Sequence, residues 1–316
     1  MRNSSPFGAP ELVRAYRIWD VAHHNAFTDL VRFNGRFYCT FREASGHLNS
    51  TGKIRVISSA DGREFESTAL FAQRGVDLRD PKLSVAPGNR LMLLAGGTRF
   101  KGAQYVSRQP RVAFSADGIR WGSLEPVLEE GDWLWRVTWH EGVAYGISYR
   151  LRSRNVWVIE LFAGNDGISF SRICRLAVNG KPNEATIRFG PKGEAMALVR
   201  REGGDRNGWI GTSAHPYVDW RWTTAGHRLG GPNFLLLPNG AAWAAGRQIV
   251  GRDARTVVAL LTSERYEPVL ELPSGGDCSY PGMLLYRGRL WMSYYSSHEG
   301  RASIYLAIVR FAGGIS

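Results

Sequence analysis

Residues Asn25–Glu43 read NAFTDLVRFNGRFYCTFRE, and this stretch decides the fold because its pattern returns five more times. The copies are RDPKLSVAPGNRLMLLAGG from Arg79, RVTWHEGVAYGISYR from Arg136, NEATIRFGPKGEAMALVRRE from Asn183, PNFLLLPNGAAWAAGRQ from Pro232 and SYPGMLLYRGRLWMSYYSS from Ser279. Each begins with polar residues and runs through an apolar strand, a short Gly- or Asn-bearing turn and a second apolar strand. Pairs such as Asn34-Gly35, Glu141-Gly142 and Asn239-Gly240 suit two-residue hairpins, because Asn and Gly accept the positive φ that such turns require. Six units of roughly 50 residues, each with room for four strands, predict an all-β, six-bladed β-propeller with antiparallel blades. The last unit has three strands, ending in SIYLAIVRF at Ser303–Phe311. Leu12–Trp19 is the spare strand expected to complete it and close the ring. Nowhere does a long stretch keep a 3.6-residue period, so helix should be scarce. Residues 1–316 are read as one domain, because no low-complexity linker interrupts the units.

A second phrase runs in step with the first. It reads SSADGREF at Ser58–Phe65 and FSADGIRW at Phe114–Trp121, with a shorter copy, GNDGISF, at Gly164–Phe170. Asp and Gly set a tight reversal, and the aromatic is expected to pack back under it.

Composition narrows the function. The formal charge is +12, but only five of the 40 basic residues are Lys, and no basic run exceeds two residues. Scattered Arg does not build the clustered surface that tracks phosphates, so no nucleic-acid partner is expected. Arg does make two-pronged contacts with carboxylates, which favours a small anionic ligand. No apolar stretch approaches the roughly 20 residues of a membrane helix, so no membrane partner is expected. The first twenty residues lack the apolar core of a signal peptide, and a cytoplasmic location is expected. Cys39, Cys174 and Cys278 form no CxxC pair and read as structural thiols.

Propeller geometry brings the starts of the first strands and the ends of the second strands to one funnel. The starts supply His24, Asn25, Asp80, Arg136, Glu184 and Tyr280. The ends supply Arg42, Glu43, His47, Arg200, Arg201, Arg247, His298 and Glu299. A concave mouth holding convergent ionisable groups is the natural place for a site.

These features resemble the sialidase superfamily of six-bladed propellers, and Ser-x-Asp-Gly-x-x-Trp is similar to its Asp-box. The resemblance implies a glycoside hydrolase in which Tyr280, in Asp-Cys-Ser-Tyr-Pro-Gly, is the nucleophile and Glu184, in Asn-Glu-Ala-Thr, takes its proton. It implies that Arg200 or Arg201, with Arg247 or Arg255, holds a substrate carboxylate, and that Arg42 precedes the acid/base loop. Arg136, Asp80, His24, Asn25, His298 and Glu299 are taken as further sugar-binding groups of the funnel. The Arg-Ile-Pro motif of the first inner strand is absent, and His24-Asn25-Ala-Phe stands in its place. The acid/base loop, FREASGHLNSTGK, offers Glu43 and His47 as proton donors. The expected substrate is therefore a terminal sugar, acidic but divergent from ordinary sialic acid, or else neutral.

The chemistry also stands on the residues. A Tyr hydroxyl with its ordinary pKa of about 10 needs a neighbouring base, and sialidases are the Tyr-nucleophile exception to two-carboxylate hydrolysis. Asp80 with Asp29 and Glu184 could instead form the carboxylate trio of a five-bladed glycosidase. Trp133, Trp135 and Trp139 could stack on a sugar or fill the core. A sugar-binding propeller without catalysis and a uronate lyase using Tyr and His are the other functions considered. No metal is expected, since no two His residues have ligand spacing along the chain, and no nucleotide cofactor is expected, since no phosphate-binding fingerprint follows a strand.

Overall fold

The computed structural model describes residues 9–48, 51–102, 104–237 and 240–311. Strand β1 (Pro10–Trp19) comes first. Blade one follows as β2 (His24–Phe33), β3 (Arg36–Ala44), β4 (Lys53–Ser59) and β5 (Glu66–Phe71). Blade two is β6 (Val76–Ala86), β7 (Arg90–Lys101), β8 (Gln104–Ser115) and β9 (Glu125–Pro126). Blade three is β10 (Asp132–His140), β11 (Val143–Leu151), β12 (Trp157–Gly164) and β13 (Ser171–Leu176). Blade four is β14 (Pro182–Phe189), β15 (Ala195–Arg201), β16 (Asn207–Ser213) and β17 (Arg221–Arg228). Blade five is β18 (Gly230–Leu236), β19 (Ala242–Val250), β20 (Asp253–Leu261) and β21 (Tyr266–Leu272). Blade six is β22 (Cys278–Tyr286), β23 (Arg289–Ser296) and β24 (Ser303–Phe311), completed by β1.

Every blade is a four-stranded antiparallel meander, and no helix occurs among the described residues. The six repeated hairpins are the two inner strands of the six blades, as their pattern predicts. The first hairpin turns at Asn34-Gly35 and the third at Glu141-Gly142, all four residues with positive φ. The fifth turns at Gly240, while Asn239 lies outside the described residues. The inner strands β2 and β14 are buried along most of their length because both faces are covered, whereas the outermost strand β17 is mostly open to solvent.

Among the described residues the core is not one mass but six apolar clusters, each shared between neighbouring blades, and Trp133 and Trp135 of blade three reach into the one between blades six and one. Phe33, Tyr38 and Ile54 of blade one meet Leu78, Leu83 and Leu93 of blade two. Ile147 and Ile159 of blade three meet Ile187 and Val199 of blade four. Phe27 and Phe41 of blade one meet Tyr295 and Ile304 of blade six, which joins the last blade to the first. That seam is also held by the backbone: β1 pairs with β24 from Pro10 opposite Phe311 to Trp19 opposite Ile304.

The three Asp-Gly phrases all connect a third strand to a fourth. In the first two, the Ser hydroxyl accepts the Gly N–H at 2.9 Å (Ser59, Gly62) and 2.8 Å (Ser115, Gly118). Each turn then lies against the preceding blade. Gly118 touches Tyr38, whose hydroxyl donates to Asp117 O at 3.1 Å; Gly62 lies on Trp291, and Gly167 on Phe114 and Met92. The trailing aromatics do pack underneath, with Phe65, Trp121 and Phe170 against three of the inter-blade clusters. Cys39 and Cys278 are buried and Cys174 is half-buried; all three are free thiols, and burial pushes that of Cys39 up.

Gly118 and Gly35 separate strain from docking. Both have φ of +76°, but a Cβ on Gly118 would sit 2.4 Å from the Tyr38 ring, while one on Gly35 would meet nothing. Gly35→Ala is expected to cost about 1 kcal/mol of backbone strain, and Gly118→Ala about 2–4 kcal/mol. Urea unfolding measures both. Equal costs would show that docking of the turn on its neighbour contributes nothing.

Candidate active site

All six inner strands break register near their starts, where two residues oppose one on the partner strand. The breaks fall between Ala26 and Asp29, Arg79 and Lys82, Leu134 and Val137, Pro182 and Ala185, Gly230 and Asn233, and Ser279 and Gly282. A bulge re-aims the side chains it carries. Here it presents Phe27, Asp80, Trp135, Glu184, Gly231 and Tyr280 around the propeller axis. In four strands the bulge turns left-handed, with φ of +63° at Phe27, +48° at Asp80, +57° at Gly231, and +92° and +52° at Ser279 and Tyr280. Side chains other than Gly adopt this region at a cost of roughly 1–2 kcal/mol each, and such strain concentrates where geometry serves chemistry.

Tyr280 and Glu184 meet at the centre. The Tyr280 hydroxyl donates to Glu184 Oε1 at 2.7 Å. Arg200 Nη1 lies 2.8 Å from both carboxylate oxygens and 2.8 Å from the Tyr280 hydroxyl oxygen. The Gly231 N–H donates to Glu184 Oε2 at 2.7 Å. Burial raises the Glu184 carboxyl, but the Arg200 charge and the hydrogen bonds from Arg200, Tyr280 and Gly231 outweigh it, so its pKa is lowered. Burial, reinforced by the Glu184 charge, drives the Tyr280 hydroxyl far above its ordinary value, so at rest it holds its proton. The ring is gripped by Phe27 at 5.0 Å, Trp135 at 5.8 Å and Tyr295 at 6.0 Å between centroids, with the Arg247 guanidinium 5.5 Å from its centre. Gly231 is required twice, since its φ is positive and a Cβ would stand 2.5 Å from the Tyr280 ring.

A pocket of about 300 Å³ opens over this pair, lined by Asp80, Glu184 and Tyr280 with Phe27, His47, Arg79, Thr98, Tyr105, Arg108, Trp133 and Tyr149. A smaller recess of about 140 Å³ lies beside it, bounded by Arg200, Arg228 and Arg247. The Asp80 carboxylate makes no hydrogen bond among the described residues. Burial raises its pKa and the Glu184 charge adds to this, against the pull of Arg79 and Lys82. Two carboxyl groups of one pocket are thus pushed in opposite directions.

At the rim, Asp277 gathers two imidazoles. Its Oδ2 lies 2.9 Å from His24 Nε2 and 2.7 Å from His47 Nδ1, while Oδ1 accepts from the Tyr295 hydroxyl at 2.7 Å. His24 therefore faces this cluster rather than a sugar.

Seven residues expected in the funnel are held elsewhere. Glu43 accepts from Trp19 Nε1 at 2.8 Å and from Arg55 at 3.2 and 2.9 Å, so it has no route to the pocket. Arg42 is fully buried, with its guanidinium on Asp77 at 2.8 Å and on Gly46 O at 2.9 Å, and ties the His47 loop to blade two. Arg201 turns outward to Asn179, Asp205 and the Trp209 ring. Arg136 lies along the axis below the pocket, 2.7 Å from Asp29. Asn25 holds the ring seam through Ala22 O and Ala302 O. β23 ends at Ser296, so the turn that follows carries His298 and Glu299 out to Tyr305, with Glu299 also near Arg17. Asp29, paired with Arg136 and with the Leu83 N–H, is no member of a carboxylate trio at the pocket. Of the expected Arg residues, Arg200 and Arg247 flank Tyr280. Arg255 pairs with Asp253 and the Ala254 carbonyl.

Arg79 and Arg108 line the pocket without having been expected there. Arg79 was legible as the partner of Asp80 in Arg-Asp-Pro. Arg108, on a third strand, carried no signal, because hairpin logic reaches only the first two strands of a blade. Of the three tryptophans, Trp133 lies on the pocket wall, Trp135 packs on Tyr280 and Trp139 belongs to an inter-blade cluster.

Comparison with known proteins finds no family profile and no curated protein that matches this sequence. Solved structures do match. A protein of unknown function from Dyadobacter fermentans superposes with a TM-score of 0.83 at 18% identity, over 97% of this chain and 100% of that one. An α-L-arabinofuranosidase from Fusarium graminearum, solved with an iminosugar inhibitor, gives 0.72 at 13% identity over 95% and 98% of the two chains. Trypanosoma rangeli sialidase gives 0.70 at 13% identity, over 93% of this chain and 55% of the sialidase. At these identities the likeness is one of fold: this chain has the six-bladed propeller that sialidase and arabinofuranosidase glycoside hydrolases share.

Beneath the pocket the axis holds Lys82, Arg136 and Arg188 against Asp29. Burial and the charge of Arg136 lower the Lys82 pKa to about 8, and Lys82 Nζ rests 4.7 Å from the centre of the Trp135 ring. Its folded pKa lies below the ordinary 10.5, so the cost of burying its charge is fully felt below pH 8 and vanishes above about 10.5. Lys82→Met is therefore expected to be more stable than the wild type at pH 7, by on the order of 3 kcal/mol. That advantage should shrink as the pH rises from 8 to 10. Urea titrations at pH 7 and 9.5 measure it, and an advantage independent of pH would show that the charge is not its source.

Proposed function

We propose that the protein is a retaining glycoside hydrolase acting on a terminal sugar, with Tyr280 as nucleophile and Glu184 as its base. The observation that carries this reading is the 2.7 Å hydrogen bond from Tyr280 to Glu184, bridged by Arg200, on the floor of an open pocket. In the first step the Tyr280 oxygen bonds to the anomeric carbon as the glycosidic bond breaks, and the phenol proton passes to Glu184. Arg200 stabilises the phenolate character of the transition state. Asp80 supplies the proton to the leaving oxygen. In the second step Asp80 takes a proton from water, the hydroxide oxygen bonds to the anomeric carbon as the bond to the Tyr280 oxygen breaks, and Glu184 returns its proton to Tyr280.

Asp80 suits the donor role better than Glu43, which is locked to Arg55, or His47, which is bonded to Asp277. Its carboxylate makes no hydrogen bond among the described residues, faces the pocket and has a raised pKa, while Glu184 has a lowered one. Opposed shifts of this kind separate an acid from a base within one site. An acidic sugar is supported by guanidinium groups with uncommitted donors: Arg247, which makes no hydrogen bond among the described residues and approaches Asp277 at 3.6 Å, and Arg79 and Arg108 on the pocket wall. The solved likenesses to a sialidase and an arabinofuranosidase support hydrolysis of a small glycoside, including a neutral one.

A panel of chromogenic glycosides of sialic, other ulosonic and uronic acids and of neutral pentoses tests the reading. Tyr280→Phe should abolish turnover with the thermal melt unchanged. Asp80→Asn should lose about 10²–10⁴-fold on substrates with poor leaving groups and little on activated aryl glycosides. Activity should fall on the acid side as Glu184 is protonated and on the alkaline side as Asp80 ionises. Full turnover by Tyr280→Phe, or no release from any sugar by the folded protein, would overturn it.

A further inference from the structure

We propose that His24, His47 and Asp277 bind a single first-row divalent cation, Zn²⁺ being the best fit, at the seam where the propeller closes. The three side chains come from separate segments: His24 opens β2, His47 lies in the loop after β3, and Asp277 immediately precedes β22. Their donor atoms lie within 4.8 Å of one another. Two of the edges are 2.9 and 2.7 Å. A tetrahedral N₂O site with bonds of about 2.0–2.1 Å has edges of about 3.3 Å, so these two edges need open by only a few tenths of an ångström to admit the ion, with the third edge set within the same 4.8 Å cluster. Two imidazoles and one carboxylate form a borderline donor set that suits Zn²⁺, Co²⁺ or Ni²⁺ over Ca²⁺ or Mg²⁺.

The surroundings match such a site. Ligating carboxylates are normally fixed by outer hydrogen bonds, and Asp277 is held by the Tyr295 hydroxyl on Oδ1, the oxygen that the imidazoles do not use. The nearby cation, Arg247, approaches that same Oδ1 at 3.6 Å and leaves Oδ2 to the ion. The His47 side chain is 42% exposed and Asp277 28%, so an ion can enter from the pocket side. To bind the ion each imidazole presents a lone pair, His24 through Nε2 and His47 through Nδ1. The ion would join blade six to blade one across 253 residues of chain, beside the backbone bridge of Asn25 N to Ala302 O at 3.0 Å. A link that closes so long a loop restricts the unfolded chain strongly, so the ion acts as a ring clasp.

The full-length protein, stripped with chelator and dialysed, is titrated with Co²⁺ and with Zn²⁺. The expected result is one equivalent bound by calorimetry, visible ligand-field absorption of four-coordinate Co²⁺, and a rise in Tm with Zn²⁺. His47→Ala, whose side chain is exposed, should fold and lose at least tenfold in affinity; His24→Ala and Asp277→Asn should lose more. His215→Ala, on blade four, should bind as the wild type does. Absence of stoichiometric binding by the wild type, or equal affinity in His47→Ala, overturns the proposal. The readouts are stoichiometry, spectrum and Tm, so the outcome is independent of whether Tyr280 is a nucleophile.

Discussion

Closure of the ring is the constraint on which the rest of the structure depends. No blade of four strands buries both of its faces alone, and each apolar cluster among the described residues is shared between blades. The arrangement is satisfied only when the sixth blade meets the first. Two devices achieve this, the pairing of β1 with β24 and the Phe27, Phe41, Tyr295 and Ile304 cluster across the seam. The Asp-Gly turns extend the same logic outward. Each rests its glycine on an aromatic or sulfur-bearing side chain, on the preceding blade or shared with it, so register between blades is set by close approach as well as by apolar area.

Closure also creates the site. Six strands that converge on an axis crowd one another at their starts, and each relieves the crowding with a bulge at the same place. The bulges turn alternate side chains from the blade interior to the axial mouth. Left-handed backbone at Phe27, Asp80, Ser279 and Tyr280 is the local cost of that turn, and the packing around the ring holds it in place. Glu184 and Tyr280, 96 residues apart, then meet within hydrogen-bonding distance. Arg200 bridges them from the end of a second strand. The carboxylate stays ionised in a buried setting because a guanidinium, a backbone N–H and a phenol all donate to it.

The repeat, the blade count, the closing strand and the scarcity of helix were all legible in the sequence, because they depend on local pattern. So were Tyr280, Glu184, Arg200 and Arg247 as neighbours, because strand starts and second-strand ends converge in any propeller. The sequence reading erred where neighbouring charges compete for a side chain. Glu43 and His47 share a loop on paper, yet Arg55 takes one and Asp277 the other. Arg42 and Arg201 have the right chemistry and sit at strand ends, but Asp77 and Asp205 hold them. Asp80 was seen as a binding group, and only the structure shows that its carboxylate makes no hydrogen bond among the described residues.

By itself, then, the sequence determined what period-two alternation, turn chemistry and a 50-residue repeat can determine: an all-β ring of six blades, and which strand ends face its mouth. Tertiary structure alone decided which of the ionisable groups at that mouth are free. Pairing between Arg42 and Asp77, between Arg55 and Glu43, or among His24, His47 and Asp277 joins residues of different strands, loops and blades. Ion pairs and hydrogen bonds act over a few ångströms in space, whereas local sequence pattern records only neighbours along the chain.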